Sequence, residues 1–174
     1  MNRRLVAATF ALAAAVTSLV PVGPSSASGG LRPQVATPFG QVDLVVDLNP
    51  GSSSSYPKVG VELPTGLLMV ASNPTYGEEL WITDGTAAGT VLVKDIYPGV
   101  GGSGPREFVR LGDKAIFRAY DNTNGWELWI TDGTAAGTTL VKDINPGTSF
   151  GNPLSSSPGT FTVVGNQVFF TAND

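Results

Sequence analysis

The sequence predicts an all-β chain built from tandem four-stranded repeats of 48 residues, arranged as part of a β-propeller-like array. Three observations carry this. The segments "VVDLNPG", "VKDIYPG" and "VKDINPG" begin at residues 45, 93 and 141, so one period separates each from the next. The segment "ELWITDGTAAGT" occurs twice without a substitution, at residues 79–90 and 127–138, with the same spacing. Short apolar runs alternate with turn signals every 8–12 residues, and nothing after the N-terminal segment sustains a 3.6-residue period. A β-sandwich or an open stack of β-repeats is the alternative. It explains an unvarying period less well.

The elements follow in chain order. "MNRR", an apolar stretch of 16 residues from Leu5 to Val20, and "PVGPSSASGG" have the layout of a cleaved export signal over residues 1–27. The stretch is short for a membrane span, which needs ~20 apolar residues, and Pro21 and Pro24 break it. Residues 28–40 read as a linker and 41–174 as the β-repeat region of about 2.8 units. Within a unit, "LVKDI" (92–96) ends at Pro98-Gly99 and "EFVRL" (107–111) follows a Gly/Ser/Pro loop. Gly-Asp in "LGDK" (111–114) and Gly-Asn in "VGNQ" (164–167) are two-residue hairpin signals. "KAIFRAY" (114–120), the turn "DNTNG" (121–125) and "WELWIT" (126–131) complete the unit. In "ELWIT", Leu80 and Ile82 share one face while Glu79, Trp81 and Thr83 share the other, because side chains alternate along a strand. The third unit aligns at an offset of 53, which places about five extra residues near "LSSSPG" (154–159).

Composition removes several function classes. The chain carries 10 Lys+Arg against 14 Asp+Glu, net −4. Loss of Arg3 and Arg4 with the leader takes the remainder to about −6, with no basic cluster, which argues against nucleic acid as a partner. No second apolar stretch predicts membrane insertion after signal cleavage. The absence of cysteine excludes disulfides, and the absence of histidine removes Ser-His-Asp triads and His-based zinc sites. The paired carboxylates Glu79/Glu127 and Asp84/Asp132 are repeat copies, so an architectural role is expected and no catalytic residue is assigned. The chain is therefore expected to be exported to the cell exterior or surface, to have no enzymatic activity, and to contact protein or carbohydrate there.

Each copy of the loop, Asp84, Gly85, Thr86 and Gly89, then Asp132, Gly133, Thr134 and Gly137, is expected to form a tight turn. The Asp caps backbone N–H groups and the glycines supply positive φ. No cofactor is expected, with one low-ranked exception: Asp121, Asn122, Asn124 and Glu127 are candidate calcium ligands, because calcium takes oxygen donors. Trp81 and Trp129 recur at equivalent places and read as packing residues. Trp126 does not, since its counterpart is Glu78. With Tyr120 and Tyr76 it is the candidate ligand-binding set, an aromatic face suited to a sugar ring.

The stretches "ELWITDGTAAGTVLVKDIYPG" (79–99) and "ELWITDGTAAGTTLVKDINPG" (127–147) resemble the ELWxxDGT repeat family of bacterial exported proteins. The resemblance covers roughly residues 41–174. It implies tandem β-rich repeats, often within larger surface or secreted proteins, with no established general activity; some relatives bear hyalin-like names. The chain departs from the pattern by starting inside a unit and by ending at "FFTAND", where the next "ELW" strand is due. Closed propellers have ~4–8 blades. A fragment of a longer carbohydrate-active or adhesin protein, or a subunit that self-associates through open edges, is therefore expected.

Overall fold

Turn chemistry divides the chain into strands too short and too evenly spaced for helices. The computed structural model describes Leu5–Ala8 and residues 42–174. The export signal and linker expected over residues 1–40 thus lie outside the described residues, apart from Leu5–Ala8. That segment is β1, paired antiparallel with β2 (Val42–Val46). A first antiparallel sheet follows, made of β3 (Lys58–Leu63), β4 (Gly66–Asn73), β5 (Gly77–Thr83) and β6 (Val91–Lys94) in that order. The second sheet holds β7 (Arg106–Leu111), β8 (Lys114–Asp121), β9 (Gly125–Thr131) and β10 (Thr139–Lys142), again as a simple meander. Two small hairpins end the chain: β11 (Thr148–Ser149) with β12 (Asn152–Pro153), and β13 (Gly159–Val164) with β14 (Gln167–Thr171). The described chain is all-β, and no sheet closes into a barrel.

The hairpin signals work by known geometry. Leu111 pairs with Lys114 across Gly112-Asp113, and Val164 with Gln167 across Gly165-Asn166. In both turns the first central residue is a glycine at positive φ, +66° and +61°. That is the II′ pattern, whose twist matches the flanking strands.

Packing repeats with the sequence. One core joins the two large sheets: Leu68, Leu80 and Ile82 of the first meet Ala115, Phe117, Ala119 and Trp129 of the second. Phe117 is fully buried and stacks on Phe108 at 5.3 Å, with the small Ala115 and Ala119 making room on either side. Burial of a side chain this size contributes about 1.5–3 kcal/mol. A second core holds Leu48, Met69, Ala71 and Trp81. These are the residues 48 positions before Ile96, Phe117, Ala119 and Trp129, so it is the same interface one unit earlier. Leu80 and Trp81 fall in different cores, as alternation on a strand covered on both faces requires. At the sheet margins Thr65 Oγ1 donates to Asp132 O at 3.0 Å, Lys94 Nζ to Thr138 O at 2.8 Å and Arg110 Nη1 to Glu62 O at 3.0 Å, tying the first sheet to the second.

About five extra residues were expected near 154–159, and the extra length falls directly before that stretch. Gly99 and Gly147 are equivalent, as are Ser103 and Ser156, and the added residues between them form the β11–β12 hairpin. The stretch 154–159 instead carries framework contacts, because Ser156 is buried beneath the preceding unit.

Candidate functional site

The duplicated segment forms two devices, each built twice. The first is the turn. Thr86 N and Thr86 Oγ1 both donate to Asp84 Oδ1, at 2.9 and 2.7 Å, and Gly89 N donates to Thr86 Oγ1 at 2.9 Å. The second copy repeats these contacts at Asp132, Thr134 and Gly137 with distances of 2.9, 2.7 and 3.0 Å. These donors hold the Asp84 and Asp132 carboxyls below the ordinary range, the threonine hydroxyl acting most strongly. Beneath each turn a buried hydroxyl pair, Thr83 with Thr90 and Thr131 with Thr138, closes at 2.7 Å. Gly85 and Gly133 do stand at positive φ, +90° each. Gly89 and Gly137 do not, contrary to expectation. They are glycines for a different reason: a Cβ at either would fall on the neighbouring Asp carboxylate.

The second device is a clamp that the sequence did not announce. Glu79 is completely buried on β5. Its carboxylate accepts Ile96 N at 3.3 Å, Tyr97 N at 3.1 Å, Ser103 N at 2.7 Å and Ser103 Oγ at 2.5 Å. Glu127, equally buried, accepts Ile144 N at 3.1 Å, Ser156 N at 2.7 Å and Ser156 Oγ at 2.5 Å. Each glutamate thus fastens the segment that leaves its own sheet for the next. Burial pushes the Glu79 carboxyl above the ordinary range, against the lowering effect of these donors. The serine completes the link through its carbonyl. Ser72 N donates to Ser55 O, Tyr120 N to Ser103 O and Asn173 N to Ser156 O, at 2.7, 2.9 and 2.8 Å, so the bond appears once in each of the three units. The signal for this serine was its retention within otherwise divergent Gly/Ser loops.

Between the two sheets, beside this framework, opens a cleft of about 480 Å³. It is lined by Glu78, the glycine-rich loop Gly101, Gly102 and Gly104, and the side chains of Arg106, Tyr120 and Trp126. Glycine is required in this loop. Gly102, at φ +74°, lies so close to β5 that a Cβ would strike the Glu78 backbone, and Gly104 N donates to Glu78 O at 3.0 Å. Trp126 is half-buried, 5.8 Å from Tyr120 between ring centres, and Tyr120 is 5.6 Å from Tyr97. The Arg106 guanidinium lies 4.3 Å from the Trp126 ring centre and that of Arg118 lies 5.8 Å away, the former well inside cation–π range. Lys58 Nζ meets both oxygens of Glu78 at 3.0 Å, and Arg118 Nη2 meets Glu107 Oε1 at 3.1 Å.

The candidate residues therefore separate. Trp126 and Tyr120 come together in the cleft, whereas Tyr76 packs against the other core, with Trp81 and Met69. Trp81 and Trp129 are buried. The oxygen set considered for calcium is not assembled. Asp121 Oδ1 accepts Thr123 N and Asn124 N, both at 2.7 Å, and Asn124 Nδ2 donates to both Asp121 oxygens, which makes a capped turn. Asn122 is exposed, and the Glu127 carboxylate is spent on Ile144 and Ser156. Among the described residues no group of three or more acidic, histidine or cysteine side chains is placed to hold a metal. Nor is any helix there long and apolar enough to cross a membrane. Sequence reasoning missed Arg106, Arg118 and Lys58, which surround the cleft. The available signal was that Arg106 and Tyr120 stand opposite Lys58 and Ser72 in the preceding unit, as Trp126 stands opposite Glu78.

No family model, curated protein or solved structure matches the chain.

Proposed function

We propose that this is an exported, non-enzymatic repeat protein, a partial β-propeller, whose cleft beside Trp126 is a binding surface for extracellular carbohydrate. One observation carries the reading: three positions that differ between the units converge on a single cleft, beside a framework held by the identical Glu79 and Glu127. Trp126 replaces Glu78, Tyr120 replaces Ser72 and Arg106 replaces Lys58, and all three replacements line the cleft. A framework needs no indole at that place, so the indole is free to serve a ligand. The volume falls in the ~300–1,000 Å³ range of small-ligand sites, and the aromatic and hydrogen-bonding walls suit a polyhydroxylated ring. The core that recurs one unit apart supports the propeller-like arrangement, and the leader pattern of residues 1–27 supports export.

A hydrolytic role is disfavoured by the same geometry. Glu79 and Glu127 are occupied by backbone and serine donors, so neither is available as a general acid or nucleophile. The test is retention on a panel of immobilised glycans by the wild-type chain and by Trp126→Ala. Wild-type retention that the variant loses, with an unchanged melting midpoint, supports the reading. Equal retention, or none by either form, removes it.

Self-association through an open edge is a second reading, favoured by the two-stranded β13–β14 sheet, where Val164 and Phe169 are more than half exposed at 58% and 56%. An edge of this kind invites pairing. Light scattering that shows one monomer mass at every concentration excludes it.

A further inference from the structure

We infer that the cleft selects acidic saccharides, with Arg106 as the residue that receives a sugar carboxylate. The inference rests on the carbohydrate reading above and adds the ligand's charge to it.

Lys58 is paired with Glu78, and Arg118 with Glu107. Arg106 is different. Its Nε donates to Gly104 O at 3.1 Å, and among the described residues no carboxylate lies within ion-pair distance of it. An exposed, unpaired guanidinium thus stands in the wall of this cleft, in a chain whose net charge is −4. The guanidinium is also oriented. It lies over Trp126 at 4.3 Å and is fixed by Nε, which leaves its two Nη groups for a ligand. A guanidinium held this way offers a planar fork of N–H donors that matches a carboxylate.

The same contact weakens the case for a neutral sugar. Simple stacking needs an open aromatic face, and Arg106 already lies over the Trp126 ring. The indole then serves chiefly as the platform that holds Arg106, and Tyr120 remains as the aromatic wall against the sugar ring. Glu78, which also lines the cleft, accepts hydroxyl hydrogens, and Lys58 offsets its charge. A ring that presents a carboxylate to Arg106 and hydroxyls to Glu78 is a hexuronate.

The experiment is calorimetric titration of the full chain with trigalacturonate and trimannuronate, each compared with its carboxyl-reduced neutral counterpart. At least one acidic trisaccharide should bind roughly tenfold or more tightly than its neutral form, and added salt should erode the difference. Arg106→Gln should bring acidic and neutral forms to the same affinity, and Arg106→Lys should retain part of the difference. Glu78→Gln should strengthen the acidic ligand, because it removes a negative charge from the cleft and frees Lys58, while the amide oxygen still accepts a hydroxyl hydrogen. That opposite sign decides the matter even where Arg106→Gln disturbs folding; an unchanged or weakened affinity in Glu78→Gln overturns the inference. Equal binding of acidic and neutral forms by the wild-type chain overturns the acid selectivity and leaves the carbohydrate reading standing. No binding of either form overturns both.

Discussion

Glu78-Glu79 in the first unit and Trp126-Glu127 in the second occupy equivalent places, and adjacent residues there have opposite fates. Glu79 and Glu127 point into the core and make the same contacts with Ser103 and Ser156, 2.7 Å to each amide and 2.5 Å to each hydroxyl. One residue earlier the chain points the other way. Glu78 meets Lys58 there, while Trp126 meets Arg106 and Tyr120. Strand alternation makes this separation possible, since neighbours on a strand face different environments. The inward position is constrained by three or four donors that need an acceptor. The outward position answers only to what lies in the cleft. At this pair of positions identity marks what the sheets need from each other, and difference marks what is free to serve a ligand.

The comparison is broken most severely at the inward position. Glu79→Ala leaves Ile96 N, Tyr97 N and Ser103 N buried or half-buried without an acceptor. At about 1–3 kcal/mol for each unsatisfied group, a loss of roughly 3 kcal/mol or more in unfolding free energy is expected in a denaturant titration. Glu127→Ala should behave alike. Gly89→Ala comes next: the added Cβ displaces the Asp84 carboxylate from its turn, and about 1–3 kcal/mol should be lost, with a similar loss at Gly137→Ala.

A smaller effect sharpens the distinction between the two carboxylate types by pH. The Glu79 carboxyl is raised above 4.5 by burial, so the stability it contributes is fully present below pH 4.5 and is lost as pH rises through its folded value. Asp84 and Asp132 are lowered below 3.8 by their threonine partners, so their contribution is present above pH 3.8 and is lost as pH falls through their folded values. Unfolding free energy measured against pH should lose its decline above pH 4.5 in Glu79→Gln. It should lose its acid-side fall in the Asp84→Asn, Asp132→Asn double variant. Unaltered profiles would mean that these groups titrate alike folded and unfolded.

Much of the fold was legible because it rests on local chemistry. Gly112-Asp113 and Gly165-Asn166 turned where a Gly-first pair turns, and Asp84 and Asp132 capped their loops as such a residue does. The cores followed from which alternate residues are apolar. What stayed hidden depends on contacts between units. Repetition marked Glu79 as architectural but not what it holds, because its partners lie 17 to 24 residues away in a loop of unremarkable sequence. Gly89 was assigned to backbone conformation when the neighbouring side chain decides it. Tyr76 and Tyr120 were grouped as aromatics near equivalent turns, yet they face different neighbours and only Tyr120 reaches the cleft. Arg106 carried no signal by itself, since its importance comes from Trp126, two strands away in the same sheet.

The most direct test gives the second unit the first unit's outward residue. In Trp126→Glu the clamp at Glu127 is untouched, so the melting midpoint should stay within about 2 °C of wild type, as expected for a substitution outside the packed core. Calorimetric titration with the acidic trisaccharide that the wild-type chain binds should show affinity reduced at least roughly tenfold, because Arg106 loses its platform and gains a carboxylate neighbour. Undiminished binding by a fully folded Trp126→Glu chain would contradict the account.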